Sequence, residues 1–384
     1  MWEELAKKDK PLVLYGTGNA AEKIMKELDT RNIRVSGIFA SDGFVRDRFF
    51  HGFKVLSYAA AKEQFGDMTV LLCFGSHLPE VMENIKRIAA EQDFYAPDLP
   101  VAGEGLFDRT YYEAHRAELV WVRERLADEQ SRFVFDKVIE YKLSGRIQPL
   151  IDCQTPEPAN WREWLLGTVP NCQKPAHGAV PTFLDLGAYT GDTVKMFLET
   201  LNTLRAEQAP AVPGAPDLPY NMAGTPNLYQ PHIIAVEPEA RNFRKLKEYK
   251  DNSLPDSPNC SMELINAAAG DHNGTVAFTH GAGRGGAEGK GKVRQVELVT
   301  VDSLLAGRSA DFIKMDLEGA EAEATRGAQA TIKKHRPSML VAAYHRTEDL
   351  FAIPYQILQI CPDYKLYLRK DPGIPAWGIN YLFI

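Results

Sequence analysis

Apolar residues in the first hundred positions come in short dense runs, each followed by a stretch where they recur every third or fourth position. "PLVLYG" is a buried-strand run and "NAAEKIMKELDT" an amphipathic helix. "RVSGIFA" reads as a second strand, "VLSYAAAKEQFG" as a helix, "MTVLLCFGS" as a third strand and "LPEVMENIKRIAAEQ" as a helix. Strand–helix alternation with short turns predicts a parallel sheet covered on both faces.

The pattern changes after about residue 104. Leu119, Val122 and Leu126 form one stripe at helical spacing, and Phe135, Val138, Ile139 and Leu143 form another. Ser131 is placed to cap the second of these helices. Residues 149–181 are rich in Pro and Gly around a short helical piece, "NWREWLLG".

From Thr182 the alternation resumes. The predicted strands are "TFLDLG", "HIIAVE", "SMELINAA", "DFIKMD", "SMLVAAYH", "YKLYLRK" and "WGINYLFI", with helices between the first six. No helix separates the last two, so the final strand should run antiparallel. The expected organisation is a small Rossmann-like unit over 1–103, a helical bridging region over 104–180 and a larger α/β domain over 181–384. Two stretches interrupt the pattern: a Pro-rich loop at 205–231 and the glycine-rich basic "THGAGRGGAEGKGK" at 279–292. The first is long enough for a lid or a disordered insertion.

Composition narrows the function classes. The 384 residues are 45% hydrophobic and 25% charged, with a net charge of −7. That balance argues against a dominant nucleic-acid or anionic-membrane surface. No apolar run approaches the roughly 18–20 residues of a membrane span, and no apolar segment follows the charges of "MWEELAKKDK" as a signal peptide would require. The five cysteines are scattered and form no C-x-x-C, the pattern of free thiols in a reducing cytoplasm.

Two glycine turns follow strands, and their chemistry differs. A pyrophosphate sits on the N-terminus of the helix after such a turn, where N–H groups and the helix dipole favour negative charge. In "FLDLGAYTGDT" Asp185 lies two residues before Gly187, which works against phosphate and points to a positively charged ligand. S-adenosyl-L-methionine, with an ammonium and a sulfonium and no phosphate, fits. On this reading Asp185 attracts the amino end directly or through water. Gly187 and Gly191 allow close backbone approach, with Ala188 and Tyr189 between them. Asp192 and Thr193 open a helix whose N–H groups can take the cofactor carboxylate. Glu237, ending the next strand in "AVEPEARNF", stands where a ribose diol would lie. Ala267 in "INAAAGDHNGT" suits a flat adenine edge or plain packing. "GAEGKGKV" has Val293 where a phosphate-binding loop has Ser or Thr, and it leads into a strand, so that reading is rejected.

The fourth strand of this domain ends in Lys314, Asp316 and Glu318, with Glu321 in the first helical turn beyond. Several acids at one strand end are expensive to bury without partners. Glu321 reads either as a helix cap or as part of a site. Lys314 reads as a strand residue with a salt-bridge partner. Asp311, Asp316, Glu318 and Glu321 supply hard oxygen ligands, but no histidine-rich spacing supports a metal, and none is expected. His345, ending "AAYH", is either a general base or a cap of the following helix.

"FLDLGAYTGDT", "AVEPEARNFRKL", "TVDSLL", "DFIKMDLEGAE" and "RPSMLVAAYHRTEDLFAIP" together resemble the FkbM-type S-adenosylmethionine-dependent methyltransferases, from about Thr182 to the C-terminus. The resemblance implies a class I methyltransferase sheet of seven strands and transfer to an oxygen of a sugar or secondary metabolite. It implies that Asp316 lies next to the cofactor. Asp316, Glu318 and His345 are the catalytic candidates, the first with a cofactor contact as well. The Pro-rich insert and the 279–292 loop depart from the compact family pattern.

The turn near the N-terminus, "YGTGNAAEKI", is G-x-G-x-x-A after a strand, with Asp42 at a plausible ribose position. It resembles small Rossmann-like domains of sugar-nucleotide-modifying enzymes. Nucleotide binding, a packing or dimerisation role, and a working NAD(P) site all stay open. The leading expectation is an O-methyltransferase with a small-molecule or carbohydrate acceptor, no nucleic-acid or membrane partner, and a homodimer as an open possibility. The alternatives are an NAD(P)-dependent oxidoreductase run from the N-terminal turn and a non-catalytic binding protein on a methyltransferase scaffold.

Overall fold

The computed structural model describes residues 1–41, 43, 45, 48–172, 181–208, 231–253, 260–279 and 293–384. In chain order the first unit runs α1 (Trp2–Leu5), β1 (Leu12–Tyr15), α2 (Asn19–Thr30), β2 (Gly37–Ala40), β3 (Phe49–Phe50), β4 (Phe53–Ser57), α3 (Tyr58–Phe65), β5 (Thr69–Leu72), α4 (Pro79–Glu91) and β6 (Asp93–Tyr95). Its sheet order is β3-β4-β2-β1-β5-β6, parallel except for the short β3. The segment expected as one helix from Val55 begins instead as β4. Ser57 ends that strand and caps α3, its hydroxyl accepting the Ala60 N–H at 3.1 Å.

A helical layer follows: α5 (Arg109–Ala114), α6 (Arg116–Arg125), α7 (Glu129–Ser144), α8 (Gln148–Asp152) and α9 (Glu157–Cys172). Helix α7 starts one turn earlier than expected, because the Asp128 carboxylate accepts the Ser131 N–H at 2.7 Å. Ser131 is therefore not the cap. It is buried, and its hydroxyl accepts from Leu368 N–H and from Arg369. Arg369 also grips Asp128 and Glu163 of α9, so one buried guanidinium ties two helices to a strand of the second sheet.

The remaining elements are β7 (Thr182–Leu186), α10 (Asp192–Gln208), β8 (His232–Val236), α11 (Ala240–Ser253), β9 (Ser261–Ile265), β10 (Ala267–Ala269), β11 (Gly274–Thr279), β12 (Val293–Val299), α12 (Val301–Leu305), β13 (Phe312–Met315), α13 (Glu321–Arg326), α14 (Gln329–His335), β14 (Ser338–Ala342), α15 (Asp349–Ile360), β15 (Leu366–Lys370) and β16 (Ile379–Phe383). The main sheet has seven strands in the order β15-β16-β14-β13-β7-β8-β9. All are parallel except β16, which inserts antiparallel between β14 and β15. The strand expected over "SMELINAA" is split. It breaks at Asn266, and β10 joins β12 and β11 in a separate three-stranded sheet.

One hydrophobic cluster runs from Val13 and Val70 through Val122 and Val138 to Ile313, Val341 and Tyr381. The opposite face of the main sheet is closed by aromatics: Phe183 stacks on Phe197 at 4.1 Å, and Trp164 meets Phe312 edge-on at 5.5 Å. The carboxyl edges of the two large sheets face one another. Ser76 and Ile374 exchange backbone hydrogen bonds, and the Ala102 N–H donates to the His345 carbonyl at 2.9 Å. No described helix is long and apolar enough to cross a membrane. Cys73, Cys153, Cys260 and Cys361 are free thiols.

Candidate active site

The candidate residues gather at the carboxyl ends of β7, β8, β13 and β14. Gly187 has φ +80°, and a Cβ there would lie 2.0 Å from the Asp316 carbonyl oxygen. The β7 turn and the β13 turn thus touch through bare backbone, which only glycine permits. This contact divides the site into two neighbouring clusters.

The first cluster surrounds β7 and β8. Asp185 is not at the mouth of the turn, as the sequence suggests. It is fully buried, accepts a hydrogen bond from the Thr193 hydroxyl, and lies 3.4 Å from the Lys314 ammonium. The register explains this: Lys314 pairs with Asp185 across adjacent parallel strands, so both side chains leave the sheet on the same face. Burial pushes the Asp185 carboxyl up, while Lys314 draws it down. Burial disfavours the Lys314 charge, but Asp185 and Asp316 outweigh it and raise the ammonium. Lys314 also donates to the Gly187 carbonyl at 3.0 Å, so the pair shapes the turn from beneath.

Ala188 is buried, and the N–H groups of Gly187 and Ala188 both donate to the Val236 carbonyl. Gly191, at φ +93°, is required by packing: a Cβ would meet the Tyr249 ring at 2.6 Å. Tyr189 is a bulky residue at φ +47° with a half-exposed ring, and its N–H donates to Glu237 Oε2 at 2.9 Å. The other Glu237 oxygen accepts from Glu239 N–H at 2.9 Å. Burial pushes the Glu237 carboxyl up to about 7, against the pull of these donors. Each carboxylate oxygen keeps a further lone pair, which suits a diol. Asp192 is exposed at the start of α10. Ala267 is fully buried and hydrogen-bonded within the small sheet, so it packs.

The second cluster surrounds β13 and β14. Asp316 follows β13, partly exposed, and the Tyr344 hydroxyl donates to both of its oxygens at 3.1 and 3.3 Å. His345 has no exposed surface. Its Nε2 lies 3.3 Å from Asp316 and 3.7 Å from Glu318, and its Nδ1 lies 2.8 Å from Glu321. Burial alone would push the imidazole down. The three carboxylates outweigh it and raise it to about 9. That shift favours the imidazolium at neutral pH and weighs against a resting general-base role. Asp316, Glu321 and His345 present ligand atoms within 4.8 Å of one another. Glu321 faces one ring nitrogen and Asp316 the other, so the ring bridges two carboxylates, an arrangement that suits an ion pair better than a shared ion.

Residues 185–365 match the methyltransferase FkbM domain. The match covers a little under half of the chain. The crystal structure of methyltransferase FkbM from Methylobacillus flagellatus KT is similar over 100% of this chain and 92% of that one, with a TM-score of 0.65 and 18% identity, which establishes the fold. Aeropyrum pernix fibrillarin with natively bound S-adenosyl-L-methionine aligns over 58% of this chain and 75% of that one, at 13% identity and a TM-score of 0.28. No curated protein matches the chain.

The matched segment holds every candidate catalytic and S-adenosylmethionine-binding residue of the sequence reading. The structure adds Tyr344, which sits in an apolar run and gives no sequence signal of its own. The donor set of the FkbM domain fits a ribosylated cationic cofactor: Glu237, Asp316, Glu318 and Asp192 place carboxylates around a turn where a pyrophosphate would be repelled. In the N-terminal unit, Gly16 and Gly18 have φ +111° and +128°, as a G-x-G turn requires. A cavity of ≈ 210 Å³ lies beside it, lined by Tyr15, Phe39, Tyr58, Ser41, Asn84 and Arg87 among others. Its polar atoms bond one another, Asn84 to Tyr15 at 2.9 Å and Arg87 to Asn84 at 2.7 Å. Asp42, the expected ribose acid of that unit, lies outside the described residues.

Proposed function

We propose that this chain is an S-adenosyl-L-methionine-dependent O-methyltransferase acting on a hydroxyl of a sugar or secondary metabolite. The observation that carries the reading is Asp316: a carboxylate at the open end of β13, oriented by the Tyr344 hydroxyl and by His345, within backbone contact of the Gly187 turn. The cofactor supplies a methyl group on a sulfonium, whose sulfur leaves as a neutral thioether. Glu237 would hold the ribose hydroxyls, and the Tyr189 ring is exposed at the turn. Asp316 would accept the hydroxyl proton of the acceptor as its oxygen takes the methyl group. Lys314, neutralised by Asp185, keeps the floor of the turn in place and takes no proton.

Calorimetry with S-adenosylhomocysteine, followed by transfer of a tritiated methyl group to a panel of hydroxylated sugars and secondary metabolites, tests the reading. Binding and label on an acceptor oxygen support it. Absence of S-adenosylhomocysteine binding at millimolar ligand overturns it. Binding with label on carbon or nitrogen corrects the acceptor atom. The fold does not fix the acceptor, which is why the panel is needed.

A further inference from the structure

Glu321 offers chemistry that the proposed function leaves unused. It opens α13 but does not merely cap it. Its carboxylate folds back so that Oε1 accepts the Leu317 N–H at 2.6 Å and Oε2 accepts the Gly319 N–H at 3.1 Å. These two bonds hold the turn after Asp316, where Glu318 and Gly319 take φ +53° and +103° in succession. Consecutive left-handed residues in a turn need such fixing, above all when one carries a side chain.

The same Oε1 lies 2.8 Å from His345 Nδ1, and both residues are fully buried. The His345 backbone is pinned from the opposite side by the Ala102 N–H. The ring is enclosed, with Nδ1 in ion-pair range of Glu321 and Nε2 in ion-pair range of Asp316 and Glu318. We propose that Glu321 is a positioning residue that acts through His345 to orient the Asp316 carboxylate, in a Glu321–His345–Asp316 relay spanning α13, β14 and the end of β13.

The proposal rests on the reading of Asp316 as the group that meets the acceptor. Its electrostatics support it. The charged groups facing His345 are Glu321 on α13, Asp316 and Glu318 in the turn, and Asp349 on α15, with the Tyr344 ring 4.1 Å away and Arg346 next in the chain. Arg346 is turned to the Gly319 carbonyl, and His345 lies in ion-pair range of Glu321, Asp316 and Glu318, with the Lys314 ammonium also acting on Asp316. A fixed imidazolium holds Asp316 ionised and oriented without competing for the acceptor proton.

The test is the titration of His345 by nitrogen-15 NMR, assigned by its loss in His345→Gln, in the wild type, Glu321→Gln and Asp316→Asn. Glu321→Gln keeps one of the two acceptors for the turn and removes the anion. In the wild type the ring should remain imidazolium well above neutrality. In both variants its midpoint should fall by about one pH unit or more. The alkaline limb of kcat should move down with it in Glu321→Gln, while the KM for S-adenosylmethionine stays unchanged. A merely structural Glu321 would lower the melting temperature and leave both midpoints where they were. An ordinary wild-type midpoint, or one that neither variant moves, overturns the relay. The titration needs no acceptor, so its failure is distinct from a failure of the methyltransferase reading.

Discussion

Lys314 Nζ lies 3.4 Å from Asp185 Oδ1, and neither side chain has appreciable contact with solvent. Breaking such a pair by removing one partner leaves the other charge buried and uncompensated, at a cost of about 3–5 kcal/mol. Asp185→Ala and Lys314→Met should each show a large fall in chemical-denaturation midpoint. The double variant should recover part of the loss, because no orphan charge remains. Additive losses in this cycle would mean the two residues do not act as a pair.

Glu237 gives the cofactor site a pH dependence. Its carboxyl is pushed up to about 7 by burial, and hydroxyls donating to it favour the ionised form. Ligand binding should therefore lower its pKa and release a proton, so affinity rises with pH through about 7. Calorimetry should show S-adenosylhomocysteine binding more tightly at about pH 8 than at about pH 6, with proton release in the buffer-dependent enthalpy. Glu237→Gln should bind weakly and lose the pH dependence. A wild-type affinity flat across this range would sink the assignment.

Much of this arrangement is legible in the sequence, and the rest is hidden for physical reasons. The seven strands of the main sheet appear as dense apolar runs because both faces are covered, and the antiparallel β16 follows from the missing helix before it. What a linear reading cannot see is adjacency. That Asp185 meets Lys314 depends on β7 and β13 being neighbours in register. Asp185 was therefore expected at the crevice and is found beneath it. Tyr344 lies in a buried run and looks like core until its hydroxyl is placed on Asp316. Asp128 and Ser131 are both good capping types three residues apart, and only the geometry of α7 separates them.

Asp316 carries the proton-transfer step of the proposed mechanism. Asp316→Asn keeps the shape and removes the base, so kcat should fall by about 10²–10⁴-fold with S-adenosylhomocysteine affinity within a few-fold of wild type. Tyr344→Phe removes one donor to that carboxylate. It should lower kcat by a smaller factor, about tenfold, corresponding to the loss of one hydrogen bond to a charged group. A Tyr344→Phe enzyme as impaired as Asp316→Asn would assign the tyrosine a chemical role instead.

Arg369 is the tie between the helical layer and the main sheet. It is almost fully buried and held by Glu163, Asp128 and Ser131. Arg369→Met removes its charged hydrogen bonds to two half-exposed carboxylates and should destabilise the fold by about 1.5–3 kcal/mol. Hydrogen exchange should rise first in α7 and α9, whose contacts to β15 this side chain supplies, before it rises in β7, β13 and β14. Uniform exchange across the chain would place the tie elsewhere.

His345 also links the site to the stability of the whole chain. Its imidazole is raised from 6.5 to about 9 on folding, where the carboxylates outweigh burial. A group raised on folding stabilises fully below its unfolded value, and that contribution is lost as pH rises through the folded value. The contribution is about 3 kcal/mol at most, and it should fade between about pH 6.5 and pH 9. Asp349, pushed up to about 7 by burial and by Glu321, works in the same direction, since the folded state favours its protonated form. Stability measured by urea unfolding should therefore decline from mildly acid to alkaline pH. In His345→Gln the part of that decline nearest pH 9, above the titration of Asp349, should disappear, because the histidine is gone. A His345→Gln protein that keeps the wild-type slope near pH 9 would show that the imidazolium is not what these acids stabilise.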